Sequence, residues 1–385
     1  MSTFETLLEQ THAIGREVLA PHAAAVDAEA RFPREAFAAL KQADLLSCYV
    51  PRALGGAGLD IVQTSRLCEA LGRYDGSAAM IFAMHQIQVG CVVHHRQDSA
   101  WFEAFLRRLV DEQLLLGSAT TEAGIGGNLR TSSCAVMVDG ERFTLEKNAP
   151  VISYGEAADV ILVTARKGPD AAQSEQVHVL LFQDQLTLEP TTTWDTLGFR
   201  GTCSGGYILR GEGHLDQVLP VPYADIHAQS MHPLAHGTWA ALWLGIAKDA
   251  YEKSRGFVRA AARKTPGTLP PGAMRLAELD GLVHSMEAGV YATLARYQEH
   301  LDRGLDGISG DLHFVTSVSQ LKIRSSELMV DIVTKALLIC GIAGYRNDHR
   351  FSLARQLRDA HGAAIMVNND RIRLQTSTLL LVRKG

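Results

Sequence analysis

The stretch that most restricts the fold is Gly117–Ala158, GSATTEAGIGGNLRTSSCAVMVDGERFTLEKNAPVISYGEAA. It sits between two long blocks with helical apolar spacing, and its own pattern is not helical. Ser133–Val138 and Glu141–Glu146 flank Asp139-Gly140, a dipeptide that favours a type I′ hairpin turn. Ahead of the hairpin, Thr120 to Asn128 places two hydroxyls, one carboxylate and three glycines in nine residues. Glycine lets a backbone approach a flat or anionic ligand with no Cβ in between. Behind the hairpin, Ala149–Gly155 is apolar and ends on Ser153 and Tyr154. Two polar loops on one small sheet can hold a planar cofactor through backbone and hydroxyl groups. The same composition also makes ordinary turns.

The flanking blocks read as helices. Phe4, Leu7, Leu8, Ile14, Val18 and Leu19 share one helical face, and Pro21 limits that helix or restarts it. Phe32-Pro33-Arg34-Glu35 opens a second helix, with Pro at a favoured early position. After a Gly/Pro-rich connector at 51–60, apolar helices are expected at 61–73, 76–95 and 99–112. Strands follow at 159–165 and 176–182, with a closing strand near 206–210. From about 226 the chain returns to helix, at 233–263, 275–301 and 312–340, and long helices with short connections indicate an antiparallel bundle. The expected domains are 1–116 (all α), 117–225 (β) and 226–385 (helical bundle).

A net charge of −5 argues against nucleic acid as the main partner but leaves room for a local basic pocket. The six cysteines are scattered without a C-x-x-C, which fits reduced thiols in the cytoplasm and no metal site. No apolar run is expected to reach the length of a membrane span, and the N-terminus lacks a signal-peptide pattern.

Thr121-Glu122-Ala123-Gly124-Ile125-Gly126-Gly127, a hairpin, and then Ile152-Ser153 resemble the acyl-CoA dehydrogenase pattern TEPGxGSD, hairpin, K-x-W-I-T-N. Gly127 stands for the usual Ser and Val151 for the usual Trp. PRALGGAGL, CEALGRYDGS and Trp194–Thr202 match further signatures in order, and the resemblance covers nearly the whole chain. It implies an all-α N-terminal domain, a small β-barrel or sandwich, and a C-terminal four-helix bundle: a mainly α protein with an inserted β domain. It also implies FAD, with Thr120, Thr121, Gly126, Gly127, Ile152 and Ser153 beside the flavin. Arg263-Lys264-Thr265-Pro266-Gly267 resembles the R-x-x-F-G motif, whose Arg reaches the FAD pyrophosphate of a neighbouring subunit. A guanidinium suits that task because it forks onto phosphate oxygens. Gly341-Ile342-Ala343-Gly344-Tyr345 resembles the GG-x-G-Y turn that approaches FAD across the dimer, and a helix-ending glycine cap would fit there equally. A homo-oligomer, a dimer of dimers, is therefore expected. Further implied partners are a small apolar or acyl-CoA substrate, and an electron-transfer flavoprotein or flavin reductase.

Leu357-Arg358-Asp359-Ala360 matches the R-D-A signature that precedes the family's catalytic loop. Dehydrogenation needs a carboxylate base within reach of a carbon-bound proton. Counting onward from R-D-A, Val367 takes the place of the usual Glu. The alternative position on the long helix falls at Gly237, and no Asp or Glu lies between Asp225 and Asp249. Asp370 is the nearest carboxylate and the candidate relocated base; a surface cap or a pair with Arg371 or Arg373 is its other reading. His85 is a second candidate, set against a core histidine bonded to a carbonyl. The readings are an FAD-dependent acyl-CoA dehydrogenase with an atypical base, a flavin monooxygenase of the same superfamily using O2, and a catalytically silent FAD-binding oligomer.

Overall fold

The computed structural model describes residues 3–124 and 130–382. The N-terminal helices are α1 (Thr3–Ile14), α2 (Ala20–Glu29), α3 (Arg34–Gln42), α4 (Ile61–Gly72), α5 (Gly76–His95) and α6 (Ala100–Glu112). A π turn, Gly15–Leu19, joins α1 to α2, and Pro21 sits in the first turn of α2, so the helix restarts there. Asp60 and Gln63 form a capping box on α4, and the Asp75 carboxylate accepts from Ser77 N and Ala78 N at the start of α5. Such caps contribute about 1 kcal/mol each.

α5 corrects the reading of the apolar runs. It is long and apolar enough to cross a membrane, yet its surface is consumed by α4, α8 and β1, so it is the central helix of the core.

The β region has two sheets. β1 (Leu116–Ala119) pairs in parallel with β4 (Val160–Arg166), which pairs antiparallel with β5 (Gln176–Phe182). β2 (Met137–Asp139), β3 (Arg142–Ala149), β7 (Gly206–His214) and β6 (Leu186–Thr192) form an antiparallel sheet in that order. The sheets pack closely: a Cβ on Gly211 would lie 2.3 Å from Leu181 Cδ1. The hairpin turn is shifted by one residue from the expected position. Asp139 pairs with Arg142, so Gly140-Glu141 form the loop, and only Gly140 has positive φ (61°). That is the demand of a type II′ turn rather than type I′.

The chain then forms α7 (Tyr223–Ile226), a second π turn (His227–Met231), α8 (His232–Lys264), α9 (Ala273–Asp302), α10 (Leu312–Cys340), α11 (Ile342–Tyr345), α12 (Ala354–Ala363) and α13 (Asn369–Val382). α8 is the axis of this part and packs on α4, α5, α9, α10 and α12. Trp243 on α8 is fully buried among them. Burying a large apolar side chain of this kind contributes about 1.5–3 kcal/mol.

The R-D-A segment clamps all three regions together. Arg358 pairs bidentately with Asp27 of α2 and donates to Leu197 O, and the Asp359 carboxylate accepts from Phe199 N at 2.6 Å. Burial pushes the Asp359 carboxyl up to about 7, against the Phe199 hydrogen bond.

Candidate functional site

The β region supplies one wall of the site. Thr120 and Thr121 leave the end of β1 half-buried, and Thr121 Oγ1 donates to Val151 O at 2.9 Å, tying the Gly-rich loop to the segment after β3. Ile152 is fully buried and its N–H donates to Gly205 O, so Ser153 is the polar group this segment presents. Its hydroxyl starts a file, Ser153–Ser204–Thr202, with neighbours 2.8 Å apart, which ends on Phe199 O. Cys203 lies in the same turn. Gly124 has φ +87° and open space where a Cβ would stand. Gly126 and Gly127 lie outside the described residues.

Glu122, in the Gly-rich loop, is consumed by structure. Its carboxylate accepts from Ser132 Oγ (2.7 Å), Ser133 N (2.8 Å), Cys134 N (2.9 Å) and Lys147 Nζ (3.2 Å). Burial opposes its charge, but these donors outweigh it and hold the carboxyl below its usual range. Lys147 is fully buried and also donates to Thr164 O at 2.7 Å; burial pulls its pKa down against the opposing charge of Glu122. Strict alternation along β3 puts Phe143, Leu145, Lys147 and Ala149 on the inward face, so this lysine was legible in the sequence as an interior charge.

The helical wall is built from the start of α8 and the loop after α12. His227, His232 and His236 follow one another along the π turn and α8, the last two with ring centroids 4.3 Å apart. Burial lowers His227 to about 4 and His236 to about 3, and holds His232 well below its usual value, so all three are neutral at pH 7. Arg130, at the exit of the Gly-rich loop, lies near enough to His227 and His232 to add to their shifts, which brings the two walls together. Trp239 Nε1 is buried with no partner among the described residues. An orphaned buried donor calls for a ligand or water acceptor.

The loop that takes the place of the family's base carries no carboxylate inward. Val367 has φ +48°, a strained conformation for a β-branched residue. Its carbonyl accepts from Lys322 Nζ at 2.7 Å, and the same ammonium donates to Asn369 Oδ1 at 2.7 Å. Lys322 is fully buried on α10, and burial lowers it to about 8. Asp370 is on the surface, its side chain 86 % exposed and paired with Arg373. As a candidate base it is not brought to the site; a surface pair takes it instead. His85 is also not brought there. It is fully buried, its Nε2 donates to Leu46 O (2.7 Å) and its Nδ1 accepts from Leu116 N (3.0 Å), so neither nitrogen is left for a substrate.

Arg263 and Thr265 are exposed at the far end of α8. The helix from His236 to Arg263 spans about 40 Å at 1.5 Å per residue. Gly341 closes α10 with φ 57° and ψ −138°, a region open only to glycine, and faces open space. Gly344 is buried against Cys340 and Leu337. The end of α10 packs beside α8, since Ser254 Oγ donates to Ala336 O. Thus the sequence-predicted ligand groups fall on two parts of the fold: Thr120, Thr121, Ile152 and Ser153 in the β region, and Arg263, Thr265, Gly341 and Gly344 at the ends of α8 and α10.

The donor set of each cluster fits part of a flavin dinucleotide. Ser153, Thr121 and the Trp239 N–H suit a polar planar ring system, and the exposed guanidinium of Arg263, with the glycines at the end of α10, suits a diphosphate.

Residues 2–113 match the family Acyl-CoA dehydrogenase, N-terminal domain, and residues 228–376 match Acyl-CoA dehydrogenase, C-terminal domain. The chain is 25 % identical over 377 residues to the probable acyl-CoA dehydrogenase FadE25 of Mycobacterium tuberculosis, covering 96 % of this chain and 93 % of that protein. Its fold is similar to that of butyryl-CoA dehydrogenase from Megasphaera elsdenii (TM-score 0.84, 21 % identity, 99 % and 98 % of the two chains). It is similar as well to TdsC from Paenibacillus sp. A11-2 in complex with FMN and indole (TM-score 0.86, 19 % identity, 99 % and 98 %). Helical domains flanking a small β region, matched along nearly their whole length, place this chain in the acyl-CoA dehydrogenase superfamily.

Proposed function

We propose that the protein is an FAD-dependent oxidoreductase that oxygenates a small apolar molecule, using reduced flavin and O2. The observation that carries this reading is the pinned, carboxylate-free loop: Val367 in the place of the base, with its carbonyl and Asn369 both held by Lys322. A site without a base cannot take a carbon-bound proton, but oxygenation asks for no such step. Bound FAD would supply the two-electron chemistry. Thr120, Thr121 and Ser153 would orient its ring, and Ile152 would back it. Arg263 and Thr265, with Gly341 and Gly344, would hold the diphosphate of a second copy's FAD, as the resemblance to the family's R-x-x-F-G and GG-x-G-Y motifs implies. Gly126 and Gly127 are assigned the same role as the loop they belong to. The neutral imidazoles of His232 and His236, with Trp239, would form the apolar, donor-bearing floor under the substrate.

A homo-oligomer, a dimer of dimers, accords with the exposed apolar residues Leu338, Ile342 and Tyr345 beside that Arg and Gly pair. A flavin reductase is the partner this reading requires, and the cytoplasm is the compartment its free thiols suit.

The near full-length likeness to FadE25 favours a second reading, α,β-dehydrogenation of an acyl-CoA with an electron-transfer flavoprotein as acceptor. One experiment separates them. FAD-loaded protein is mixed anaerobically with a panel of acyl-CoAs, then chemically reduced and exposed to O2. The oxygenase reading expects no bleaching in the first step and at least two resolved absorbance phases on reoxidation. Bleaching by any acyl-CoA overturns it in favour of dehydrogenation. No bleaching with a single reoxidation phase leaves a silent flavoprotein.

A further inference from the structure

A second pocket lies outside the flavin site. It is a cleft of about 530 Å³ bounded by the π turn after α1, the end of α4, the middle of α8 and the start of α12. That volume is within the usual range for small-molecule sites. Gly15 opens the π turn because the Tyr74 ring presses on it: a Cβ there would stand 2.1 Å from Tyr74 Cδ2. A π turn re-aims the side chains it carries, and here it carries Arg16.

Arg16, Arg73 and Arg355 line this cleft with Lys253, His12 and Tyr74. Its two carboxylates are already engaged. Asp249 pairs with Lys253 (2.8 Å) and accepts from Gln356 Nε2 (2.5 Å), and Glu252 pairs with Arg255 (2.6 Å). Arg355 donates only a long bond to Tyr74 O at 3.5 Å. Arg16 and Arg73 have no hydrogen bond or ion pair among the described residues. The His12 ring, 3.2 Å from the Tyr74 hydroxyl, is depressed by burial first and then by Arg73 and Arg16, against the opposing charge of Glu69.

We propose that this cleft binds a phosphate-bearing anion, held by the guanidinium groups of Arg16, Arg73 and Arg355. Guanidinium forks match phosphate oxygens, and three of them line a cleft whose two carboxylates are held by Lys253, Gln356 and Arg255, which leaves positive charge for an anion to neutralise. The Tyr74 hydroxyl is a further donor. A free diphosphate and a nucleotide share this chemistry.

The test uses the full chain saturated with FAD, so that the flavin's own diphosphate contacts are filled. Titration calorimetry with inorganic pyrophosphate is expected to show one saturable site. Arg16→Gln or Arg73→Gln weakens it about tenfold or more, the scale of a lost hydrogen bond to a charged group. Arg73→Lys, which keeps the charge and loses the fork, lies between, and Arg142→Gln, in the exposed β3 pair with Glu212, leaves it unchanged. Because Arg16 and Arg73 make no hydrogen bond or ion pair among the described residues, the melting temperatures of these variants without ligand match the parent, while pyrophosphate raises only that of the parent. Adenosine diphosphate binding tighter than pyrophosphate assigns the cleft to a nucleotide, and equal affinity assigns it to the phosphate moiety alone. No saturable heat with either ligand, or binding that survives the Arg16→Gln, Arg73→Gln double substitution, overturns the proposal.

Discussion

Two segments of this molecule solve one problem with opposite means. The Gly-rich loop contains a carboxylate, Glu122, and buries it against Lys147 with three further donors. The loop after α12 contains no inward carboxylate and is held by the lone ammonium of Lys322 on a carbonyl and an amide oxygen. In the first, the acid is present and has no chemistry to offer, because each of its lone pairs is committed. In the second, Val367, which counting onward from R-D-A sets in the place of the base, is an apolar residue in a strained turn. The presence of an acid near a cofactor loop therefore says little until its partners are counted.

The largest break in this comparison comes from Lys147→Met. It strands Glu122 as a buried charge without its cation, and such losses cost about 3–5 kcal/mol. Denaturant titration reads the cost, and a loss below about 1 kcal/mol would mean that water reaches the pair. Lys322→Met removes no partner charge and strands two neutral acceptors, so about 1–3 kcal/mol is expected. Its pH profile sharpens the contrast. Lys322 is lowered to about 8, so between about pH 8 and 10.5 the unfolded chain binds more protons than the folded one. Parental stability therefore rises across that window, and the methionine variant loses the rise.

Asp359→Asn tests the clamp just ahead of the second loop. Asp359 is raised to about 7 from the ordinary aspartate value of 3.8, so its contribution is complete below about pH 4 and fades as the pH climbs through 7. Asparagine keeps the acceptor for Phe199 N without the charge. The variant is expected to match the parent at pH 4 and exceed it by about 1–2 kcal/mol above pH 7, by thermal melts across pH. The smallest effect is that of Asp370→Asn. An exposed pair with Arg373 contributes less than about 1 kcal/mol, and turnover with any true substrate stays unchanged. A lost turnover would return Asp370 to the site and remove the contrast between the loops.

Much of the architecture was readable before the coordinates. Periodicity placed α10 at 312–340 to the residue, and apolar runs bounded by polar loops placed β4 and β5 within a residue or two. The hairpin slipped by one position because Asp139 was needed as a strand residue opposite Arg142, and the turn then took Gly140 for its one positive φ. The site was legible in part. Its motif residues could be listed, but not their placement, since Arg263 stands at the exposed end of α8 and Ser153 on a segment of the β region. His85 and Asp370 were drawn in by residue type alone. What decided their roles was partnership: two backbone groups for the histidine, and a surface arginine for the aspartate. Lys322 escaped notice because a lysine within apolar helical spacing reads as a solvated residue until its neighbours, Val367 and Asn369 from far along the chain, close over it.

The turn that ends the hydroxyl file has a practical use. Five of the six thiols are buried, and Cys203 alone keeps partial exposure, one residue from Ser204. Burial and the nearby Glu156 raise its pKa, so it alkylates slowly. A maleimide dye added to the native protein should thus attach once per chain, giving a built-in fluorescent reporter for occupancy of the neighbouring crevice without engineering a new attachment point.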